Sequence, residues 1–281
     1  MAPEVFLLVL CAAVVHAAWN ALVKVDGDRL ALIKAMSFTQ FFLSLCLIPF
    51  VAMPAMESWP YLIASPILAT AYMLFLNRAY HAGDLSHVYP LARGMAPLVV
   101  AVVSIGLLGE RLEVAGQIGV LLIALGITSL VLTRGAAGLH DPRPTLYALG
   151  AGLFIAAYTL TDGLGARAAG TASGFMAWMA LFNAILVVGC IQWLQRGKQR
   201  PVVARRGRVG IAVGLMSYGS TWLAIWAMTV APLALVSALR ETSVVFAVII
   251  GVVFLKERLS LIRLVSVATT LIGTALLKFS R

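Results

Sequence analysis

Charged residues are scarce in this sequence. Asp, Glu, Lys and Arg make up 11% of the 281 residues, whereas soluble globular domains carry about 25%. With 62% apolar residues, the chain lacks the polar side chains needed to cover a water-facing surface, so a soluble enzyme is excluded. Intrinsic disorder is also excluded, because disordered chains are poor in apolar residues and rich in charge.

Cysteine is also rare. Cys11, Cys46 and Cys190 lie within apolar runs, without CxxC spacing or a neighbouring histidine cluster. This pattern is typical of small buried hydrophobic side chains, and it predicts neither a disulfide nor a metal site. No GxxxxGK[ST] phosphate-binding loop occurs, so ATP-driven activity is not indicated. We expect no metal and no cofactor.

Apolar runs of membrane-spanning length are abundant. A helix of about 20 apolar residues crosses the hydrocarbon core, and charged, Gly or Pro breaks separate ten such runs here. The first run continues to Val23 without a preceding basic segment, so we expect a retained helix rather than a signal peptide. The sequence predicts an all-α polytopic membrane protein with ten transmembrane helices, at about 3–24, 30–53, 59–80, 84–108, 113–133, 144–166, 172–195, 209–229, 231–255 and 259–279.

Basic residues exceed acidic ones, with 21 Lys and Arg against 11 Asp and Glu. Most lie between the apolar runs, above all in segment 195–208. Cytoplasmic loops of membrane proteins carry such an excess, so a nucleic-acid partner is not expected. The charge rule places segment 195–208 in the cytoplasm and both termini on the opposite side.

The chain contains an internal repeat. Gly109-Glu-Arg-Leu112 recurs as Lys256-Glu-Arg-Leu259, 147 residues later, and this offset aligns Arg93 with Arg240 without gaps. An arginine within an apolar span is rare, so two in register indicate duplication. A weaker echo joins the AAWN of span one to the AAYT of span six. We interpret the (G/K)-E-R-L turns as interfacial anchors rather than catalytic groups.

Each repeat holds five spans, at 1–135 and 144–281. Because five is odd, the second repeat enters the membrane from the opposite side. Two inverted five-helix repeats are typical of secondary transporters, whose site lies near the midplane between the halves.

Residues 85–97 with 109–112 resemble the EamA domain of the drug/metabolite transporter superfamily, and 234–243 with 256–259 resemble a second one. The resemblance covers almost the whole chain. It implies ten transmembrane helices and secondary transport, often export, of small metabolites, amino acids or sugars. Related phosphate-ester translocators use basic residues on the matching helices. Family members often have both termini in the cytoplasm, which conflicts with the charge rule and leaves the orientation open.

Arg93 and Arg240 are the first candidates for substrate binding. A charge within an apolar span normally faces a partner or a water-filled cavity. Two unpaired guanidinium groups at equivalent positions would repel each other, and a carboxylate or phosphate between them would relieve that repulsion. The alternative is that each arginine pairs internally with a carboxylate or caps backbone carbonyls.

Glu241 follows Arg240 directly, so on a helix the two side chains point about 100° apart. Glu241 has three possible roles: a counter-ion of Arg93 across the pseudo-two-fold axis, a ligand for a substrate amine, or a carrier of the coupling proton. Asp162, near the end of span six, is a lesser candidate that we expect close to the membrane interface.

The remaining candidates are polar or aromatic residues at helical spacing. One polar face of span one is expected to point away from lipid. Tyr89 shares a face with Arg93, and Pro90 and Pro97 are expected to loosen that helix. An aromatic wall for a cation or ring is a further hypothesis, although such residues more often serve packing. The polar face of span one holds His16, Trp19 and Asn20, and Tyr158 is the repeat counterpart of Trp19. The aromatic wall would consist of Tyr72, Tyr218 and Trp222.

The sequence therefore predicts a secondary transporter of a small polar metabolite (an amino acid, organic anion or phosphonate-like compound), working by alternating access as an exporter or exchanger. The expected location is a cell membrane, the bacterial inner membrane, with a monomer or homodimer in the lipid bilayer and protons as the candidate coupling ion. The alternative is a flippase-like protein that handles a lipid or amphiphile. A sealed polar cavity favours the first, and a groove open to lipid favours the second.

Overall fold

The computed structural model describes residues 1–25, 29–82, 85–130, 142–194, 207–254 and 260–279. Within these ranges the chain forms eleven α-helices, two short 3-10 turns and no strand. The helices are α1 (Pro3–Val25), α2 (Arg29–Leu47), α3 (Trp59–Ala82), α4 (Leu85–Gly106), α5 (Val114–Thr128), α6 (Arg143–Ala169), α7 (Ala172–Leu194), α8 (Gly207–Val230), α9 (Leu233–Glu241), α10 (Ser243–Val253) and α11 (Leu261–Phe279).

The predicted ten-span membrane architecture is confirmed. Over the described ranges, nine segments are long and apolar enough to cross a membrane, and α5 is a shorter apolar helix. The ninth span is interrupted, because α9 ends at Glu241 and α10 begins at Ser243. Thr242 lies between them and donates its hydroxyl to the carbonyl of Leu239 (2.6 Å). The two prolines of α4 do not interrupt that helix, which is continuous from Leu85 to Gly106.

Successive spans alternate in direction, which gives the bundle two faces. The termini face carries both chain ends and the connections at 48–58, 107–113, 170–171 and 231–232. Contacts across this face include the amide of Ala55 on the carbonyl of Ala169 (3.3 Å). The opposite, loop face lies at the other helix ends, where segment 195–208 connects α7 to α8. Most of that segment lies outside the described residues.

The last helices of the two repeats show the pseudo-two-fold symmetry directly. A Cβ built on Gly119 of α5 would lie 2.9 Å from the carbonyl oxygen of Gly273 of α11. The matching close approach brings Gly126 of α5 against Ser266 of α11, whose hydroxyl donates to the Gly126 carbonyl. At the repeat offset, 119 and 126 correspond to 266 and 273, so the two contacts are equivalent. Small residues allow this close packing, as is usual between membrane helices.

Helices of one repeat pack largely on helices of the other. Helix α1 packs against α8, and its equivalent α6 packs against α3. In the same way, α2 contacts α8 while α7 contacts α3. At the centre, α4 packs against α9, which brings together the two helices that carry Arg93 and Arg240. The site is therefore built from both repeats.

Candidate functional site

A cavity of about 650 Å³ lies at the centre of the bundle. In the described part of the chain its wall comes from eight helices, α1–α4 and α6–α9. It extends from Arg240 and Asp162, in the middle of the bundle, to Asn77 and His81 near the end of α3. Because Asn77 and His81 are exposed, the cavity opens at the loop face.

At the termini face, a charged network joins the two repeats. Gly109 has a φ of 67°, which glycine adopts without strain, and the next residue is Glu110. The Glu110 carboxylate lies 2.8 Å from the Arg167 guanidinium and accepts a hydrogen bond from the Leu233 amide at 2.9 Å. An acidic group at the first turn of α9 also offsets the helix dipole.

Arg167 extends this network to the end of α8. Its guanidinium donates to the carbonyl of Met228 at 2.8 Å and to that of Ala231 at 2.9 Å. The Glu110 turn thus binds α6, α8 and α9 together at the end of the bundle opposite the cavity mouth. The equivalent turn at 256–259 lies outside the described residues.

Arg93 is buried and paired. Its Nε lies 3.1 Å from Oε2 of Glu241, and both side chains are 5% exposed. Its Nη2 lies 2.9 Å from Nε2 of His16, and because a guanidinium only donates, that histidine nitrogen accepts. Tyr89 places its ring 5.7 Å from the guanidinium carbon. The expectation of two unpaired guanidinium groups is therefore wrong for Arg93, and Glu241 stands in the counter-ion position.

Arg240 has different surroundings, although it is the repeat equivalent of Arg93. It is half-buried, lines the cavity, and among the described residues its guanidinium makes no hydrogen bond or ion pair. The carboxylates of Asp162 and Glu241 lie close enough to the Arg240 guanidinium to interact with it electrostatically. Arg240 is therefore available to an anion that enters the cavity.

Asp162 lies in the cavity wall. Its side chain is 5% exposed, and one carboxylate oxygen accepts a hydrogen bond from the hydroxyl of Ser65. Both residues line the cavity. A lone acidic residue within the long apolar helix Arg143–Ala169 is the signal that identifies it, since such residues mark substrate or ion pathways.

Most of the other predicted residues also line the cavity, namely His16, Trp19, Asn20, Tyr72, Tyr89 and Tyr158. The amide of Asn20 donates to the carbonyl of His16 at 2.8 Å, which fixes this turn of α1. The rings of Tyr72 and Tyr158 lie 6.0 Å apart, so α3 and α6 present a common aromatic surface.

The structure does not bring Tyr218 and Trp222 to the cavity. The cavity-facing positions of α8 are Ser217 and Thr221, and the next residue on a helix points about 100° away. Tyr218 is buried in a hydrophobic cluster with Phe175 and neighbouring residues. The indole of Trp222 donates to the hydroxyl of Ser173 at 3.0 Å. Glu241 is also outside the lining set, because it is turned toward Arg93.

Sequence reasoning did not identify Asn183 as a site residue. Asn183 lines the cavity from α7, and within the described part of the chain its buried Oδ1 has no hydrogen-bond partner. The indole Nε1 of Trp19 is likewise buried and unpaired. Because a buried polar atom without a partner costs free energy, these two atoms are places where a bound molecule would be stabilised.

The comparisons with known proteins agree with this architecture. The model of the EamA-like transporter family matches residues 4–132 and again 143–279. A solved structure described only as "Crystal structure of protein" is 19% identical, covers 99% of this chain and 98% of its own, and superposes with a TM-score of 0.77. That likeness shows the fold. The search of curated proteins finds no match. With both repeats matched by the family model, this multi-pass membrane protein belongs to the EamA-like transporter family.

Proposed function

We propose that this membrane transporter carries a small polar metabolite with an anionic group, and that Arg240 binds that group. The observation that supports this is the half-buried guanidinium of Arg240 in the cavity wall, which has no counter-ion among the described residues. Guanidinium groups bind carboxylates and phosphates through two parallel hydrogen bonds. Amino acids, organic anions and phosphonate-like compounds all offer such a group.

Arg93 has a supporting role in this proposal. Its charge is balanced by Glu241 at 3.1 Å, so it adds little net attraction for a second anion. It also contacts His16 and Tyr89, and all three residues line the cavity. The Arg93 cluster therefore shapes the wall of the site, while Arg240 provides the anion-binding charge.

The mechanism is secondary transport by alternating access. In this structure the cavity opens at the loop face, and the Glu110–Arg167 network closes the termini face. Inverted-repeat transporters exchange two such arrangements by moving one repeat against the other around a fixed site. In the alternate state the Glu110–Arg167 network separates and the loop face closes. By the charge rule the loop face is cytoplasmic, so this state would accept substrate from the cytoplasm, as an exporter requires.

The cavity shape supports a metabolite rather than a lipid. A flippase-like protein needs a groove that opens sideways to the bilayer, whereas this cavity opens at the loop face beside Asn77 and His81. Its lining includes two charged side chains besides that of Arg93, namely those of Arg240 and Asp162, together with several hydroxyl and amide groups. Such a wall suits a small polar molecule better than an acyl chain.

Thermal-shift measurements on the purified protein test this proposal. A panel of carboxylates, phosphonates and amino acids should contain a compound that raises the melting temperature, since a ligand that binds the folded state stabilises it. Hydrogen bonds to charged groups contribute about 1.5–3 kcal/mol, so Arg240→Ala should weaken that binding on the order of 10- to 150-fold. Arg240→Lys should weaken it less, because the charge is kept.

The matched control is Arg208→Ala, since Arg208 is exposed and lies outside the cavity lining. This variant should bind as the native protein does. The same variants in proteoliposomes should show the same order in substrate uptake. Native affinity in Arg240→Ala would remove the basis of the proposal.

A further inference from the structure

We infer that the cavity contains a second subsite, centred on Asp162 and Ser65, that binds a positively charged nitrogen of the transported molecule. This inference rests on the proposed function and deepens it. If Arg240 holds an anionic group and Asp162 holds a cationic one, the substrate is a zwitterion. Simple organic acids and phosphonates without an amine are then poor substrates.

The environment of the Asp162 carboxylate is incomplete. Its side chain is 5% exposed, and its one hydrogen bond within the described chain comes from the Ser65 hydroxyl. No cation of the described chain forms an ion pair with it. A buried carboxylate that lacks a cation carries a desolvation cost, which a bound ammonium group would offset.

Asp162 and Arg240 line the same cavity without pairing with each other. The two groups lie close enough to interact electrostatically, and yet they do not form an ion pair. Both border the same cavity. A molecule that carries both charges would satisfy both groups at once.

A neighbouring helix, α7, carries a hydrogen-bond acceptor that lacks a donor among the described residues. Oδ1 of Asn183 is buried and unpaired, and Asn183 borders the cavity from α7, which packs against both α3 and α6. An ammonium group has three donors, which suits a cavity that offers more than one acceptor. This orphan acceptor is an observation independent of Asp162, and a hydrogen-bond donor on the bound molecule would satisfy it.

An aromatic surface lies on the same helix face as the Asp162 carboxylate. Tyr158 lies one turn before Asp162 on α6, and residues four apart share a helix face. Its ring lies 6.0 Å from that of Tyr72, and both rings border the cavity. Tyrosine faces attract cations. The wall formed by α3, α6 and α7 therefore offers a carboxylate, an amide oxygen and two π surfaces to one positively charged group.

Matched pairs of compounds test this inference, because each pair differs only in the amine. The pairs are leucine with 4-methylpentanoate, aspartate with succinate, and 3-aminopropylphosphonate with propylphosphonate. Binding is measured by thermal shift and by competition in proteoliposomes. We expect the native protein to bind the amine-bearing member of at least one pair tenfold or more tightly. Asp162→Asn should abolish that preference and leave the affinity for the amine-free member unchanged.

Two further variants keep the test decisive. Ser65→Ala removes the hydroxyl that orients Asp162, so it should reduce the amine preference severalfold even if Asp162→Asn fails to fold. Glu57→Gln makes the same acid-to-amide change at an exposed residue outside the cavity, so it should keep the native preference.

Each possible outcome decides for or against the subsite. Equal binding of both members of every pair, with loss in Arg240→Ala, would overturn the subsite and leave the proposed function standing. Binding of leucine and of the cationic amide leucinamide that in both cases depends on Asp162 and not on Arg240 would support the subsite and overturn the anion site, because leucine carries the carboxylate that Arg240 is proposed to bind. An Asp162→Asn protein that keeps the amine preference but loses proton-driven accumulation would make Asp162 a proton carrier, and would overturn the inference. Absence of binding by every compound would overturn both proposals.

Discussion

Arg93 and Arg240 stand at equivalent positions in two repeats, and their surroundings differ in almost every respect. Arg93 lies within a continuous helix, buried and paired with Glu241 at 3.1 Å. Arg240 lies next to the last residue of α9, where the helix is interrupted at Thr242, and borders the cavity. The repeat thus supplies two identical side chains at equivalent positions, and their neighbours give them different surroundings.

The residue that follows each arginine explains much of the difference. At the repeat offset, Gly94 corresponds to Glu241. Gly94 lies against α5, where a Cβ would come 3.1 Å from the carbonyl oxygen of Ala124 and closer still to the hydroxyl of Thr128. The first repeat therefore has no room for a carboxylate beside its arginine. The second repeat supplies one, and Glu241 reaches across the pseudo-two-fold axis to Arg93.

The largest expected effect comes from removing that shared carboxylate. Glu241→Gln leaves the buried Arg93 guanidinium without a counter-ion, and breaking a buried ion pair costs about 3–5 kcal/mol. We expect a clear fall in the unfolding temperature of the detergent-solubilised protein. The double variant Arg93→Met/Glu241→Gln, which removes both charges, should recover most of the loss, as a double-mutant cycle would show.

Transport by Glu241→Gln separates the counter-ion role from proton coupling. A counter-ion that shapes the site is needed in every step, so both accumulation driven by a pH gradient and exchange of substrate for substrate should fail. If exchange survives while pH-driven accumulation is lost, Glu241 carries the proton instead. Native stability in this variant would contradict the structural role of the pair.

This comparison also shows what could be predicted from the sequence. The ten spans follow from apolar runs, and the inverted repeats follow from the motif offset and an odd number of spans. The helical spacing of His16, Trp19 and Asn20 predicted one polar face of α1 that points away from lipid. All three residues border the cavity. These are local patterns, or patterns repeated along the chain.

Contacts between distant segments could not be predicted in the same way. Glu241 pairs with Arg93 rather than with a substrate, and this pairing depends on how closely α4 and α9 approach each other. The interruption at Thr242 has no proline or glycine to mark it. Tyr218 and Trp222 point away from the cavity because Ser217 and Thr221 take the facing positions on α8, which depends on the rotation of that helix.

A smaller effect is expected at Gly94, the repeat counterpart of Glu241. Gly94→Ala would bring a methyl group against Thr128 and Ala124 of α5, and overpacking of this kind costs about 1–3 kcal/mol. Adding Thr128→Ala removes the nearest atom and should recover part of the stability. Gly189→Ala is the matched control, since nothing lies within 4 Å of a Cβ built there. A stable Gly94→Ala protein would show that α5 does not restrict this position.

The smallest expected change in stability comes from Arg240→Ala, and it completes the comparison. In the described structure the Arg240 guanidinium makes no hydrogen bond or ion pair, so its removal breaks no native contact of that kind. Substitutions away from such contacts usually change stability by no more than about 0.5 kcal/mol. Arg93→Ala, by contrast, leaves Glu241 buried without a cation and should unfold at a clearly lower temperature. The two alanine variants, measured without substrate in the same detergent, should therefore differ in stability although they remove the same side chain at equivalent positions. Equal losses of stability in the two variants would mean that Arg240 makes stabilising contacts within the protein as Arg93 does. Arg240 would then have a structural role instead of binding the substrate.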